Sequence, residues 1–194
     1  GILTQNRTVF DGQSPAAGDW TQARYPGVKG NALTVEVATL ASSWNGSSNW
    51  KIWTDAAPGT STGAAAVGGS NDEIHIVVRD FTGEITGTAG SVLETFPHLS
   101  QASDVKSSDG TSLYYKDHVN ANSKWIRIGN HPAALTKAGQ SATNNAFVQA
   151  VIFFANLSGG VDDNVLSVGE TTTALGYFAD AETMDMSLMF QSNS

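Results

Sequence analysis

The sequence predicts an α+β fold: a β-rich, two-layer, sandwich-like domain flanked by short helices. Three observations carry this expectation. Charged residues make up only 14% of the 194, against about 25% in an average soluble domain, so the polar surface is drawn from Ser, Thr, Asn and Gly, which suit strands and turns better than long helices. Apolar and polar residues alternate along several short runs, the period of a pleated strand. Clusters of Gly, Pro, Asn and Asp separate those runs. A chain of this mass buries roughly 70% of its unfolded surface, enough for a core without covalent staples.

The elements follow in order. Residues 1–24 show no lasting period and read as an irregular segment or the end of a preceding domain; residues 25–194 read as one domain. Tyr25 to Asn31 is a dense turn signal leading into Ala32–Leu40, where Leu33, Val35 and Val37 alternate with Thr34, Glu36 and Ala38 as in a half-buried strand. Lys51, Ile52 and Trp53 are compatible with a short strand. Pro58–Ser70, uncharged and rich in Gly, Ala and Thr, reads as a long flexible loop. Glu73–Asp80 is the clearest strand, and Phe81–Glu84 turns it into a second run beginning at Ile85, a hairpin. Ser91–Ser103 mixes strand and helix signals. Ser107–Gly110 is a turn. Leu113–Asn120 fits a short helix with Tyr115 and Val119 on one face, and Lys124–Ile128 a strand. A helical turn is expected near Ala133–Ala138. Phe147–Ala155 and Thr183–Phe190 complete the expected strands.

Charge and composition remove several function classes. The formal net charge is −8 and no basic stripe is present, so a phosphate-binding surface for nucleic acid or anionic membrane is not expected. Without cysteine there are no disulfides, thiolate metal sites or thiol chemistry. The longest apolar stretch, Ala146–Ala155, is interrupted by Gln149 and falls short of the ~20 residues of a membrane span. Gly1–Asn6 shows no basic-then-apolar leader pattern.

The chemical motifs are weak. Gly59–Gly63 matches G-x-S-x-G around Ser61, but Pro58 and a Gly/Ala loop flank it where a nucleophile elbow needs a strand and a helix. His75, His98, His118 and His131 have no metal-binding spacing; a hydrolase would use His75 or His118 with a carboxylate and a nucleophile gathered in one pocket. Asp162-Asp163-Asn164 lacks the alternating ligands of a Ca²⁺ loop. Asp72/Glu73, Asp80/Glu84 and Glu182/Asp185 are candidate paired carboxylates of a glycosidase, whose separation in space sets whether such a pair exists. No nucleotide cradle is present, and no cofactor or metal is expected. Trp44, Trp50 and Trp53, set among Ser and Asn, form an alternative: a ligand platform on a carbohydrate- or receptor-binding β-sandwich. Trp125, in an alternating run, is a core candidate.

Three blocks carry a resemblance. Ala23 to Val35, with Pro26, Gly27, Gly30, Asn31, Leu33 and Val35, resembles the P-G-x-x-G-N-x-L-x-V segment of contractile-bacteriophage tail sheath proteins. Tyr114 to Asn120, with Tyr115, Asp117 and Asn120, followed by Ser123, Trp125 and Ile126, is similar to a segment of the T4-like branch. Leu157-Ser158-Gly159-Gly160-Val161-Asp162, followed by Glu182, Asp185 and Leu188, resembles the family's L-x-G-G-x-D turn and the strand after it. Many relatives carry Gly where Asp163 stands here. The blocks occur in the family's order from about Ala23 to Phe190.

The resemblance implies a structural, non-enzymatic subunit fragment from the family's central, subtilisin-like region. It would lack the C-terminal region, assemble with neighbouring sheath subunits around the tail tube, and belong to the virion after assembly in the host cytoplasm. Contraction of the assembly would drive the tube through the host envelope. Without the terminal arms that link neighbours, the fragment alone is expected to be monomeric.

Overall fold

The computed structural model describes residue 10 and residues 20–130, 135–140, 145–147, 153–162, 165 and 167–176. The chain divides into two compact units, Gly1–Val161 and Asp162–Ser194. The fold class is α+β, with antiparallel sheets and short helices.

In the first unit the strands are β1 (Thr21–Ala23), β2 (Leu33–Ala38), β3 (Glu73–Asp80), β4 (Ser91–Ser100), β5 (Ile126–Ile128) and β6 (Phe153–Asn156). A four-stranded antiparallel sheet has the order β4-β3-β2-β6, and β1 pairs with β5 in a second, small sheet. The helices are α1 (Ala41–Gly46), α2 (Trp50–Trp53), α3 (Thr62–Ala66) and α4 (Tyr115–Asn122). In the second unit, helix α5 (Val168–Gly176) has no buried residue.

Period two explains the main core. Val35 lies opposite Val78 and Val37 opposite Ile76. With Leu33 and Ile74 they form one apolar face, joined by Phe96 and Leu99 of β4. Onto that cluster pack Tyr115 and Val119 of α4, Ile126 and Ile128 of β5, and Trp20. The other face is covered too. Ala38 and Val77 lie under Trp44 of α1 and Trp50 of α2. β2 and β3 are therefore buried on both sides, not half-buried as their alternation implies. Full burial of such aliphatic side chains contributes roughly 1.5–3 kcal/mol each, which makes this sheet the centre of the fold.

Several local expectations change. Thr21–Ala23 is not irregular: it forms β1, extended by Gly129 N–H to Trp20 O (2.6 Å) and Arg24 N–H to Trp125 O (2.8 Å). Residues 50–53 form one helical turn, not a strand; four residues are too few for a period to decide, and burial of Trp50 against the sheet decides instead. The stretch 58–70 holds helix α3, capped by Ser61, whose Oγ accepts the Ala64 amide at 3.2 Å. The hairpin exists, but its second strand begins at Ser91, not Ile85.

The loop between β3 and β4 is ordered by one buried carboxylate. Asp80 accepts the amides of Gly83 (2.8 Å), Ile85 (3.0 Å) and Thr86 (2.7 Å) and the Thr86 hydroxyl (2.9 Å). Burial alone would push this carboxyl up; the donors outweigh it and hold it below the usual carboxylate range. Ser91–Ser100 resolves its mixed signals as a strand whose register with β3 shifts twice. α4 is as expected, with Tyr115 and Val119 inward. β6 confirms part of the expected strand at 147–155. Residues 131–134 and 148–152, His131, and the expected strand at Thr183–Phe190 lie outside the described residues.

Candidate functional site

Two of the three blocks that carry the resemblance, around Asn31 and around Gly160, meet at the end of the central sheet. β2 and β6 are antiparallel neighbours with Thr34 opposite Asn156. That register brings the segment entering β2 beside the segment leaving β6. Pro26 is exposed at the turn. Gly27 has φ 111°, a conformation that side chains disfavour, and it starts the 3-10 turn Val28–Ala32 that feeds β2.

Asn31 closes the junction. Its Nδ2 donates to the Gly160 carbonyl (2.9 Å), and its Oδ1 accepts the Gly160 amide (2.8 Å). One carboxamide thus acts as a strand partner. Leu157 adds a backbone bond to Leu33 O (2.9 Å) and packs on the main core. Gly160 must be glycine: a Cβ there would lie 2.2 Å from the Gly27 carbonyl oxygen. Gly159 takes φ 84°, and Gly30 sits against Ala23, where a Cβ would come within 2.8 Å of that side chain.

The second block uses the same device. Asn120 on α4 donates through Nδ2 to Ile128 O (2.8 Å) and accepts the Ile128 amide through Oδ1 (2.9 Å). Tyr115, buried, donates its hydroxyl to Gly129 O (2.9 Å). Ser123, also buried, donates to Glu94 (2.5 Å) and accepts the amides of Trp125 and Ile126. Asp117 is exposed in the first turn of α4. Burial raises the Tyr114 hydroxyl above its usual range; the neighbouring Tyr115 bond opposes this and the Asp117 charge adds to it. Asp162 is exposed in the second unit. Glu182 and Asp185 lie outside the described residues.

The hydrolytic candidates are consumed by structure. Ser61 is buried and donates to Asp72 Oδ2 (2.8 Å), and its amide donates to Asp72 Oδ1 (2.8 Å). Ser100 Oγ donates to the same carboxylate (2.5 Å). This network pins α3 to the ends of β3 and β4. Glu73 accepts the Gly59 amide (2.7 Å) and Glu84 is exposed, so neither Asp72/Glu73 nor Asp80/Glu84 forms an open acid pair.

His75, expected on the surface or in a hydrogen bond, is fully buried. Its Nδ1 accepts the His98 amide (2.8 Å), so its proton sits on Nε2, which donates to Ala56 O (3.0 Å). Burial first, then the neighbouring His98 charge, pushes it down to about 4; the Ala56 and Asp55 contacts oppose this only partly. His118 contributes a ring edge to Phe96, 6.1 Å between centroids. Among the described residues no histidine ring bonds a hydroxyl, and no three His, Asp or Glu are placed to hold a metal ion.

The tryptophans do not form the platform considered for a ligand. Trp50 is 1% and Trp44 is 9% exposed. Trp44 Nε1 donates to Thr54 Oγ1 (2.6 Å). Trp53 is partly buried, edge-on to Trp50 at 5.3 Å and beneath the Arg79 guanidinium at 5.3 Å. A sugar platform needs an open ring face, and the sheet and Arg79 occupy these. Trp125 is only partly buried against the main core.

Sequence reasoning missed the His75–His98 contact and the Asp72 network. Pro97 inside an otherwise strand-like run was the one available signal, since proline in a strand marks a bulge or an edge. No family model and no curated protein matches the chain.

Proposed function

We propose that this chain is a structural piece of a contractile phage tail sheath, working as a passive block whose task is mechanical. It would sit in the virion among neighbouring sheath subunits around the tail tube, after assembly in the host cytoplasm. The observation that carries the reading is the junction of Asn31 and Gly160. Two of the sequence blocks that resemble sheath proteins, 129 residues apart, are tied by two hydrogen bonds. Residues chosen for such a tie serve shape, not turnover.

A contracting lattice needs subunits that move as rigid bodies while interfaces repack. A sheet buried on both faces, with its loops held by Asp72 and Asp80, suits that demand because packed interiors transmit strain. Contraction energy would come from the metastable lattice, without cofactor or bound nucleotide, and the isolated chain is expected to be monomeric. Negative-stain electron microscopy of the intact protein containing this chain tests the reading. Tubes of two diameters support it. Only dispersed particles, together with a turnover reaction in the same preparation, would overturn it.

A further inference from the structure

A strap crosses the second face of the central sheet, and its anchors are titratable. The segment 54–59 follows α2 and runs over β3 and β4. Ala56 O accepts His75 Nε2–H (3.0 Å). Asp55 Oδ1 contacts His98 Nε2 (2.9 Å). Gly59 is held twice, by its amide on Glu73 Oε2 (2.7 Å) and by its carbonyl on the Glu73 amide (3.1 Å). Three of these four anchors use a side chain that changes charge with pH.

The geometry beneath the strap makes His75 the sensitive member. Ile74 pairs with Leu99 and Ile76 with Phe96, so β4 carries one extra residue at Pro97–His98. Pro97 has no N–H to give, and His98 has φ 50°. The His98 amide is turned off the ladder and satisfied by His75 Nδ1 instead. The two imidazoles stand edge to face, 4.6 Å apart.

We propose that His75 is an acid-operated latch: protonation of Nδ1 sets its new N–H against the His98 N–H, frees the bulge, and lifts the 54–59 strap from Trp50 and the sheet. The proton comes from solvent and no covalent bond changes. The new charge would also form 4.6 Å from the His98 ring, centre to centre. The other charged groups on this face are Asp55 and Glu73 at the strap, Arg79 over Trp53 and paired with Glu36, and Lys51 at 5.9 Å from the Trp44 ring. Asp55 is held below the usual carboxylate range, first by its bond to His98, and Arg79–Glu36 lies on β3 and β2 away from the strap's anchors. Glu73 takes the Gly59 amide (2.7 Å) and lies 3.6 Å from His98 Nδ1, but its protonation removes no acceptor from the His98 amide; none of these groups can supply the donor-against-donor conflict that His75 creates.

The test is a pH titration of the purified, isotope-labelled chain from 7 to 3.5, following imidazole nitrogens and amide exchange. The latch predicts a neutral His75 with its proton on Nε2 at pH 7. Near pH 4 the His98 and Gly59 amides should lose at least tenfold more protection than Val35 and Val37, whose loss follows global stability. His98→Asn, which tolerates the left-handed backbone and cannot titrate, should retain the transition; His75→Gln should abolish it. Three results would overturn the latch: His75 titrating near 6.5 without loss of protection, protection lost equally at His98 and Val35, or a transition that vanishes in His98→Asn.

Discussion

Asn31 and Gly160 exchange two hydrogen bonds across 129 residues of chain, at 2.8 and 2.9 Å. The antiparallel register of β2 and β6 sets them side by side, and the Gly160 backbone approaches Gly27 so closely that no side chain fits. Gly160→Ala should therefore destabilise the fold by at least the ~1–3 kcal/mol typical of overpacking. Asn31→Ala leaves one amide and one carbonyl without their partner and should cost about 1–3 kcal/mol. The double variant should lose less than the sum, because both changes break one junction. Denaturant midpoints of the four proteins check this.

The second clamp makes a parallel prediction. Asn120→Ala removes both bonds to Ile128 and should cost more than Tyr115→Phe, which removes one bond to Gly129 and should cost about 1 kcal/mol. Asn120→Asp keeps the acceptor for the Ile128 amide but sets a carboxylate against its carbonyl, so it should rescue little. Thermal melts rank the three variants.

The tryptophans should separate by depth. Trp50→Ala removes a 1% exposed ring from the second core and should cost ~3–5 kcal/mol. Trp125→Ala and Trp53→Ala, only partly buried, should each cost less. Equal losses at all three would contradict the burial of the Trp50 ring against Val77 and His75 of β3.

Stability should depend on pH through His75. Its folded value of about 4 lies below the model-peptide 6.5, so the unfolded chain binds the proton first. The His75 contribution is therefore complete above pH 6.5, falls as pH drops from 6.5 to 4, and levels below that. The loss across this window is on the order of 3 kcal/mol. Unfolding by urea at pH 7, 5.5 and 4.5 measures it, and a flat profile would contradict the buried neutral imidazole.

The sequence shows β2, β3 and α4 clearly because their periods survive at Leu33–Val37, Ile74–Val78 and Tyr115–Val119. It hides the second covered face, since His75 and Arg79 look like solvent positions when the tryptophans that meet them, Trp50 and Trp53, stand about 25 residues earlier. Helix α3 is hidden for another reason: Thr62–Ala66 has the composition of a loop, and its order comes from Ser61 meeting Asp72 eleven residues later. The glycine turns were visible at both ends of the chain, but their contact was not. A side chain bonding a backbone leaves no period, so Asn31 and Gly160 could be singled out only as separate turns.

The most direct test of the central claim is a cryo-electron microscopy map of the intact protein's assemblies in extended and contracted form. The account predicts this chain in the outer wall of both tubes, moved as a rigid body, with the Asn31–Gly160 bonds unchanged. Absence of any tube, or a map in which that junction is open in one state, would contradict it.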